Sequence, residues 1–132
     1  MSELIFHHTG IVCQSIEDEI PIYEDLGYIQ IGEEIKDKRQ NIRGLFMEHS
    51  GSIIQLLESL DEDLPTHPVL SRGPQMCHQS FQCDGIKDAS LYFIEKGAIE
   101  VLGPKPSRVF VGRFTAFLML PNKMLIELIG PI

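Results

Sequence analysis

The chain has 132 residues, 43% of them hydrophobic and 23% charged, which supplies enough apolar material for one domain core and excludes a disordered chain. Nineteen acidic residues against eleven basic ones leave a net charge of −8, which argues against nucleic acid as a partner. No basic leader precedes a long apolar stretch and no apolar run approaches the roughly 18 residues of a membrane span, so the expectation is a cytoplasmic protein without membrane contact.

The segment "FHHTGIVC" is short, apolar and rich in strand formers, and "QSIEDEIPIYEDLGY" then spaces Ile16, Ile20, Tyr23 and Leu26 for one face of a helix. Ser15 with Asp18 three residues on has the form of a capping box, while Pro21 moves the expected start of regular helix nearer Asp18. Gly27 reads as the helix stop. Strand patterns follow at "YIQIGEE", "NIRGLFMEH" and "SIIQLLE", with a turn at Ser50-Gly51. The acid- and proline-rich stretch "SLDEDLPTHPVLSRGPQ" is a linker. A second strand at "HQSFQC" leads to a second helix, capped by Asp84 or Asp88, with Leu91, Phe93 and Ile94 as its buried stripe and Gly97 as its stop. "AIEVLG", "FTAFLMLP" and "KMLIELIG" close the chain as strands.

The two halves repeat. An offset of 70 residues pairs His8 with His78, Cys13 with Cys83, Ile16 with Ile86, Asp18 with Asp88, Gly27 with Gly97 and Ile29 with Ile99. The expected fold class is α+β, two tandem pseudo-symmetric βαβββ modules over 1–60 and 76–132 joined by a linker over 61–75, all in one domain. Cys13 lies five residues after His8, so the strand period turns it to the opposite face, under the helix, as it does Cys83 relative to His78. Three cysteines (Cys77 is the third) without paired short spacings read as reduced, buried thiols.

A second polar pair comes from the last strand of each half, where Gln55 in "IIQLL" matches Glu127 in "LIELI". A lone Gln or Glu in such a strand either faces solvent or has a buried partner, because unpaired burial costs on the order of several kcal/mol. Two histidines, a carboxylate and an amide oxygen in pseudo-symmetric positions could form the donor shell of one divalent ion such as Zn, Ni, Co or Mn. His7, His49 and His67 are left with surface or packing roles.

The motifs "HHTGIVCQSIEDEIPIYEDLGY", "IIQLLES", "CHQSFQCDGIKDA" and "GRFTAFLMLPNKMLIELI" resemble the vicinal oxygen chelate superfamily, which includes glyoxalase I and methylmalonyl-CoA epimerase. The resemblance implies a cleft between the two modules that holds one metal, with His8, Gln55, His78 and Glu127 as its ligands. It implies a lyase or isomerase that moves a proton beside a carbonyl, with Glu127 as both ligand and base, on a small thioester or hemithioacetal substrate. Glyoxalase I chemistry, the lactoylglutathione lyase type, stands first and methylmalonyl-CoA epimerase second. A non-catalytic binding protein stands third and a ring-cleaving dioxygenase last.

The resemblance also implies a homodimer, and it places the loop "GPKPSRVFVGRF" at the mouth of the cleft. There Lys105, Arg108 and Arg113 are either solvated charge or the partners of anionic groups on the substrate. One departure concerns the second base of an epimerase. Arg43 and Gly44 occupy its neighbourhood, leaving Glu48, Glu34 or a water for that role.

Overall fold

A computed structural model of the chain describes residues 3–38, 41–60 and 75–132, the side chains of 75–77 excepted. The expected linker, His67 and the Cys77 side chain lie outside the described residues. The elements run β1 (Ile5–Val12), α1 (Ile16–Asp25), β2 (Ile29–Asp37), β3 (Ile42–His49), β4 (Ser52–Ser59), β5 (Gln75–Gln82), α2 (Ile86–Glu95), β6 (Ile99–Pro106), β7 (Phe114–Met119) and β8 (Leu125–Gly130). This is the α+β, twice-βαβββ order expected from the repeat. By packing, the chain divides into two compact units, His8–Cys77 and Met1–His7 with His78–Ile132.

In the first unit the strands lie in the order β2-β3-β4-β1, antiparallel except for the parallel β1/β4 pair. Helix α1 covers one face, and its Ile16 packs with Cys13, Leu45, Met47, Ile54 and Leu56, all buried. The helix begins at Ile16, earlier than Pro21 suggested. Its first turn is pinned from two sides: Ser15 Oγ accepts the Asp18 N–H at 3.2 Å, and the Glu58 carboxylate accepts the Ile16 N–H at 2.6 Å. Ile20 and Tyr23 pack on this core, but Leu26 is the C-cap and is exposed.

The second unit repeats the plan with the order β5-β8-β7-β6, and Ile86, Ala89, Ala116, Leu118, Ile126 and Leu128 form its core. Here the sequence expectation for α2 needs correcting. Leu91 and Ile94 are exposed, and the buried face is Ile86, Ala89 and Ser90, with Phe93 packed against the same cluster. Small side chains at 89 and 90 let the helix sit close on its sheet, and a search for bulky apolar residues passes over them. Neither Asp84 nor Asp88 caps this helix. Gly85 is the N-cap without a side-chain bond, and Pro131 O accepts the Ile86 N–H at 2.9 Å. The first strand's opening residues belong to this unit: Leu4 packs on its core and the Phe6 ring meets Phe81 edge-on at 5.6 Å.

Both helices end in the same Schellman motif. Tyr28 and Gly27 donate to Tyr23 O and Glu24 O, and Ala98 and Gly97 donate to Phe93 O and Ile94 O. Gly27 and Gly97 adopt φ of +106° and +103°, which explains why glycine recurs 70 residues apart. At Gly27 a Cβ would also come within 2.8 Å of the His49 ring, which lies against Tyr28.

Candidate functional site

Each unit buries a histidine and a polar side chain on the sheet face turned away from its helix. In the first unit Gly10 of β1 registers with Gln55 of β4, so His8, two residues earlier, lies on the same face. His8 is fully buried, and the Phe46 ring meets it edge-on at 5.0 Å. Phe46 itself registers with Gln55. Gln55 is 8% exposed, and its amide nitrogen lies over Gly44, where a Cβ would come within 3.1 Å. Any larger residue at 44 would crowd this amide.

The second unit has the same rows. Ser80 of β5 registers with Glu127 of β8, and His78 is again two residues earlier. Phe117, registered with Glu127, meets the His78 ring edge-on at 5.5 Å. Here the polar group is a carboxylate with a donor beside it: Ser80 Oγ donates to Glu127 Oε1 at 2.6 Å. His78 Nε2 stands 3.7 Å from the same oxygen, beyond hydrogen-bond length.

Burial governs the charge of both groups. It lowers the His78 pKa to about 4, leaving the imidazole neutral at pH 7, so its contact with Glu127 is not an ion pair. Burial raises the Glu127 carboxyl to about 7, against the opposing pull of the Ser80 hydrogen bond. A neutral imidazole offers a lone pair. A carboxyl near neutrality can both accept and release a proton.

Arg43 lies on the opposite face. Its guanidinium binds Glu17 at 2.6 Å, Glu34 at 3.1 Å and Glu58 at 2.9 Å, and the Glu58 hydrogen bond, opposed by burial and joined by that to Glu17, raises its pKa. It is therefore a strut between the strand ends and α1. Lys105 belongs to β6 and registers with Thr115, so it is not in the loop. Thr115 shares a face with Phe117. Arg108 and Arg113 are exposed in the loop after β6, which Ser107 ties together by accepting the Val109 and Phe110 N–H groups and donating its own to Arg113 O. Burial and the Arg113 charge lower the pKa of His7, whose ring meets Phe110 at 5.2 Å.

Sequence reasoning passed over Ser80, Phe46 and Phe117. The phenylalanines recur 71 residues apart, in "GLFM" and "AFLM", and Ser80 is one strand period beyond His78. Those spacings were the available signal.

A family model described as the Glyoxalase/Bleomycin resistance protein/Dioxygenase superfamily matches residues 7–117. Among solved structures, a hypothetical protein from Bacillus halodurans C-125 is similar at 26% identity and a TM-score of 0.81, covering 99% of this chain and 96% of that one. The methylmalonyl-CoA epimerase of Mycobacterium tuberculosis is similar at 24% identity and a TM-score of 0.78, covering 100% and 92%. An epimerase in complex with methylmalonyl-CoA and NH4+ follows at 23% and 0.77, covering 98% and 96%. No curated protein matches the chain.

Proposed function

Because the chain belongs to the glyoxalase/bleomycin resistance protein/dioxygenase superfamily, we propose that it is a divalent-metal-dependent isomerase of the methylmalonyl-CoA epimerase type. It would move a proton at the carbon beside a thioester carbonyl. The repeated half-site carries this reading: a buried histidine stands on the same face as an amide in one module and a carboxylate in the other. The similar epimerase structures favour this chemistry over the glyoxalase I type that the sequence put first, and Gln55 fits them as well.

His8, Gln55, His78 and Glu127 would hold one Zn, Ni, Co or Mn ion. The donor set suits it: two imidazoles, a carboxylate and an amide oxygen are ligands for borderline divalent ions. His8, His78 and Glu127 are a buried group of the residue types able to hold an ion. His78 is already neutral, as a ligand must be, and its 3.7 Å spacing from Glu127 Oε1 is within a few tenths of what two ligand atoms about 2.1 Å from one ion adopt. The bound ion supplies Lewis acidity toward the substrate oxygen.

The chain's own residues supply the rest. Glu127 takes the proton, with Ser80 holding its carboxylate in one rotamer. Phe46 and Phe117 fix the imidazole planes and keep the face dry. Lys105, Arg108 and Arg113 would pair with the anionic groups of the carrier. A homodimer belongs to the same reading.

Elemental analysis after reconstitution with each metal, followed by incubation with methylmalonyl-CoA in D2O, tests the proposal. About one ion per chain and deuterium at the substrate's α-carbon are expected. Turnover of the methylglyoxal–glutathione hemithioacetal without exchange into methylmalonyl-CoA would assign the glyoxalase I type instead. No ion at any loading would make the protein a binding module.

A further inference from the structure

The two helices present different outer faces. On α2 the residues turned away from the core include Lys87, Leu91, Ile94 and Glu95, all exposed, Leu91 at 57% and Ile94 at 38%. The repeat puts Glu17, Pro21, Glu24 and Asp25 at the same four positions of α1, also exposed. One stripe has an apolar middle and a charge of each sign, and the other has carboxylates around a proline. Resting on the homodimer in the proposed function, we propose that the α2 stripe is the surface on which the chain meets a second copy of itself.

Helix geometry makes this stripe self-complementary. Residues four before and four after Leu91 lie about 6 Å from it along the axis and about 40° to opposite sides. A twofold axis through Leu91 that sets two α2 helices antiparallel exchanges those positions, so Lys87 of one copy falls opposite Glu95 of the other, twice. The two Leu91 side chains meet on the axis, and Ile94, on the Lys87 side of the stripe, flanks them. Among the described residues neither Lys87 nor Glu95 forms an ion pair within the chain. The same operation on α1 would set Glu17 against Asp25 across Pro21. On a chain of net charge −8, a locally neutral stripe is where two copies approach with least repulsion.

The positions of the two charges carry the argument further. Lys87 stands in the first turn of α2 and Glu95 in the last, each against the helix dipole. Neither charge therefore serves the helix itself. A partner helix running the other way brings each its counter-charge.

The open sheet edges are poorer surfaces for a second copy. β2 and β6 are the outermost strands of the sheet order. β6 carries Pro104 and Pro106, which have no N–H for a further strand, and β2 is interrupted by a register shift between Ile31 and Ile35, with Gly32 at φ +71°. Both edges are guarded against strand addition, and the α2 stripe is not guarded. Its size sets the strength. Ten residues of helix span about 15 Å, so the pair alone covers less than the roughly 800 Å² per partner of a standard interface. The association expected is weak, with dissociation in the micromolar range or above, and is weakened by salt.

Sedimentation velocity on the full chain, from micromolar to millimolar concentration, tests the surface. The wild type is compared with Leu91→Lys, Lys87→Glu, Glu95→Lys and the double variant Lys87→Glu/Glu95→Lys. All three positions are exposed, and both charge changes favour the helix dipole, so lost association would not reflect lost fold; circular dichroism checks this. The wild type is expected to dimerise with rising concentration. Leu91→Lys sets like charges together on the twofold axis and is expected to raise the dissociation constant about tenfold or more. Each single charge reversal is expected to weaken the dimer, and the double variant, which exchanges the signs, to recover it. A double variant as weak as the single ones would overturn the antiparallel pairing. A dimer indifferent to Leu91→Lys would put the interface on another surface and overturn the proposal while keeping the homodimer. A wild type monomeric throughout would overturn the surface and the homodimer together, leaving the isomerase reading to the D2O exchange experiment.

Discussion

The two modules share a face and differ in how they finish it. Row for row, His8 matches His78, Phe46 matches Phe117 and Gln55 matches Glu127, each in the same register. Around that constant frame the neighbouring side chains differ. The second module carries the titrating group and the Ser80 donor that positions it, where the first has an amide and Gly10. The first module carries Glu48, paired with Ile53, where the second has Met119, paired with Leu125. A duplicated fold has thus kept its buried histidine, phenylalanine and amide-or-carboxylate rows symmetric while placing its carboxylates asymmetrically.

Making the modules alike is the strongest way to break this difference. Glu127→Gln gives both halves a His/Gln pair, and turnover is expected to fall by roughly 10²–10⁴-fold, the contribution of a positioned acid–base group, with the circular dichroism spectrum unchanged. Gln55→Glu equalises them in the other direction and adds a negative donor. It is expected to tighten metal binding, read by competition with a chelator, without restoring activity to the Glu127→Gln protein. Restored turnover in the double variant would mean that position 55 can serve as the base and that the asymmetry is not functional.

The next difference is structural. One position beyond the last pair of the parallel strands, β1/β4 and β5/β8, the first module has Glu58 and the second has Gly130. Glu58 accepts the Ile16 N–H and braces Arg43, whereas Gly130 lets the strand press against the Cys83 backbone, so that a Cβ there would collide with the Cys83 carbonyl oxygen. Gly130→Ala is therefore expected to cost about 2 kcal/mol or more in urea unfolding, because the obstruction is backbone and cannot swing aside. Glu58→Ala should cost less, roughly 1–2 kcal/mol, through a lost helix cap and a lost charged hydrogen bond. The reverse order would show that the first module depends more on its charge network than the second does on close approach.

That network also has a pH signature. The Arg43 hydrogen bond holds the Glu17 carboxyl below its ordinary value of 4.5. A depressed folded-state value contributes stability that is present above 4.5 and lost as pH falls through the lowered value. Glu17 is largely exposed, so the contribution is small. Arg43→Met should flatten the decline of stability below pH 4.5, and an unchanged slope would locate the acid sensitivity elsewhere.

The repeat made most of this readable in the sequence. A six-letter motif with a histidine at one end and a cysteine at the other encodes strand parity, and parity alone separates the face that carries the histidines from the core. Glycines 27 and 97 mark helix ends because only they adopt the required φ without strain. Two things were not legible. The buried face of α2 rests on Ala89 and Ser90, whose small size carries no apolar signal. The role of Arg43 depends on three carboxylates that lie 9, 15 and 26 residues away, and distant charges are brought together only by register.

The smallest difference lies between the two cysteines that the repeat relates, Cys13 and Cys83. Both are buried on the helix side, Cys13 at 1% exposure and Cys83 at 8%. Burial, reinforced by Glu19 and Glu58, pushes the Cys13 thiol up to about 12, and its Sγ donates to Leu57 O at 3.4 Å. Cys83 is raised by burial too, but its hydrogen bond from the Gly85 backbone and the Arg113 charge pull the other way. The thiolate is the reactive form, so native protein at pH 8 should leave both largely unlabelled by iodoacetamide, with Cys83 reacting first. Peptide mapping resolves the two sites. The same shift has a stability consequence: the neutral Cys13 thiol contributes stability fully present below the ordinary thiol value of 9.0 and lost as pH rises from there toward about 12. Cys13→Ser would remove that alkaline decline, whereas Cys13 labelling as fast as Cys83 would show that the first module opens as readily as the second, and that its more extensive bracing by Glu58 and Arg43 does not restrain local unfolding.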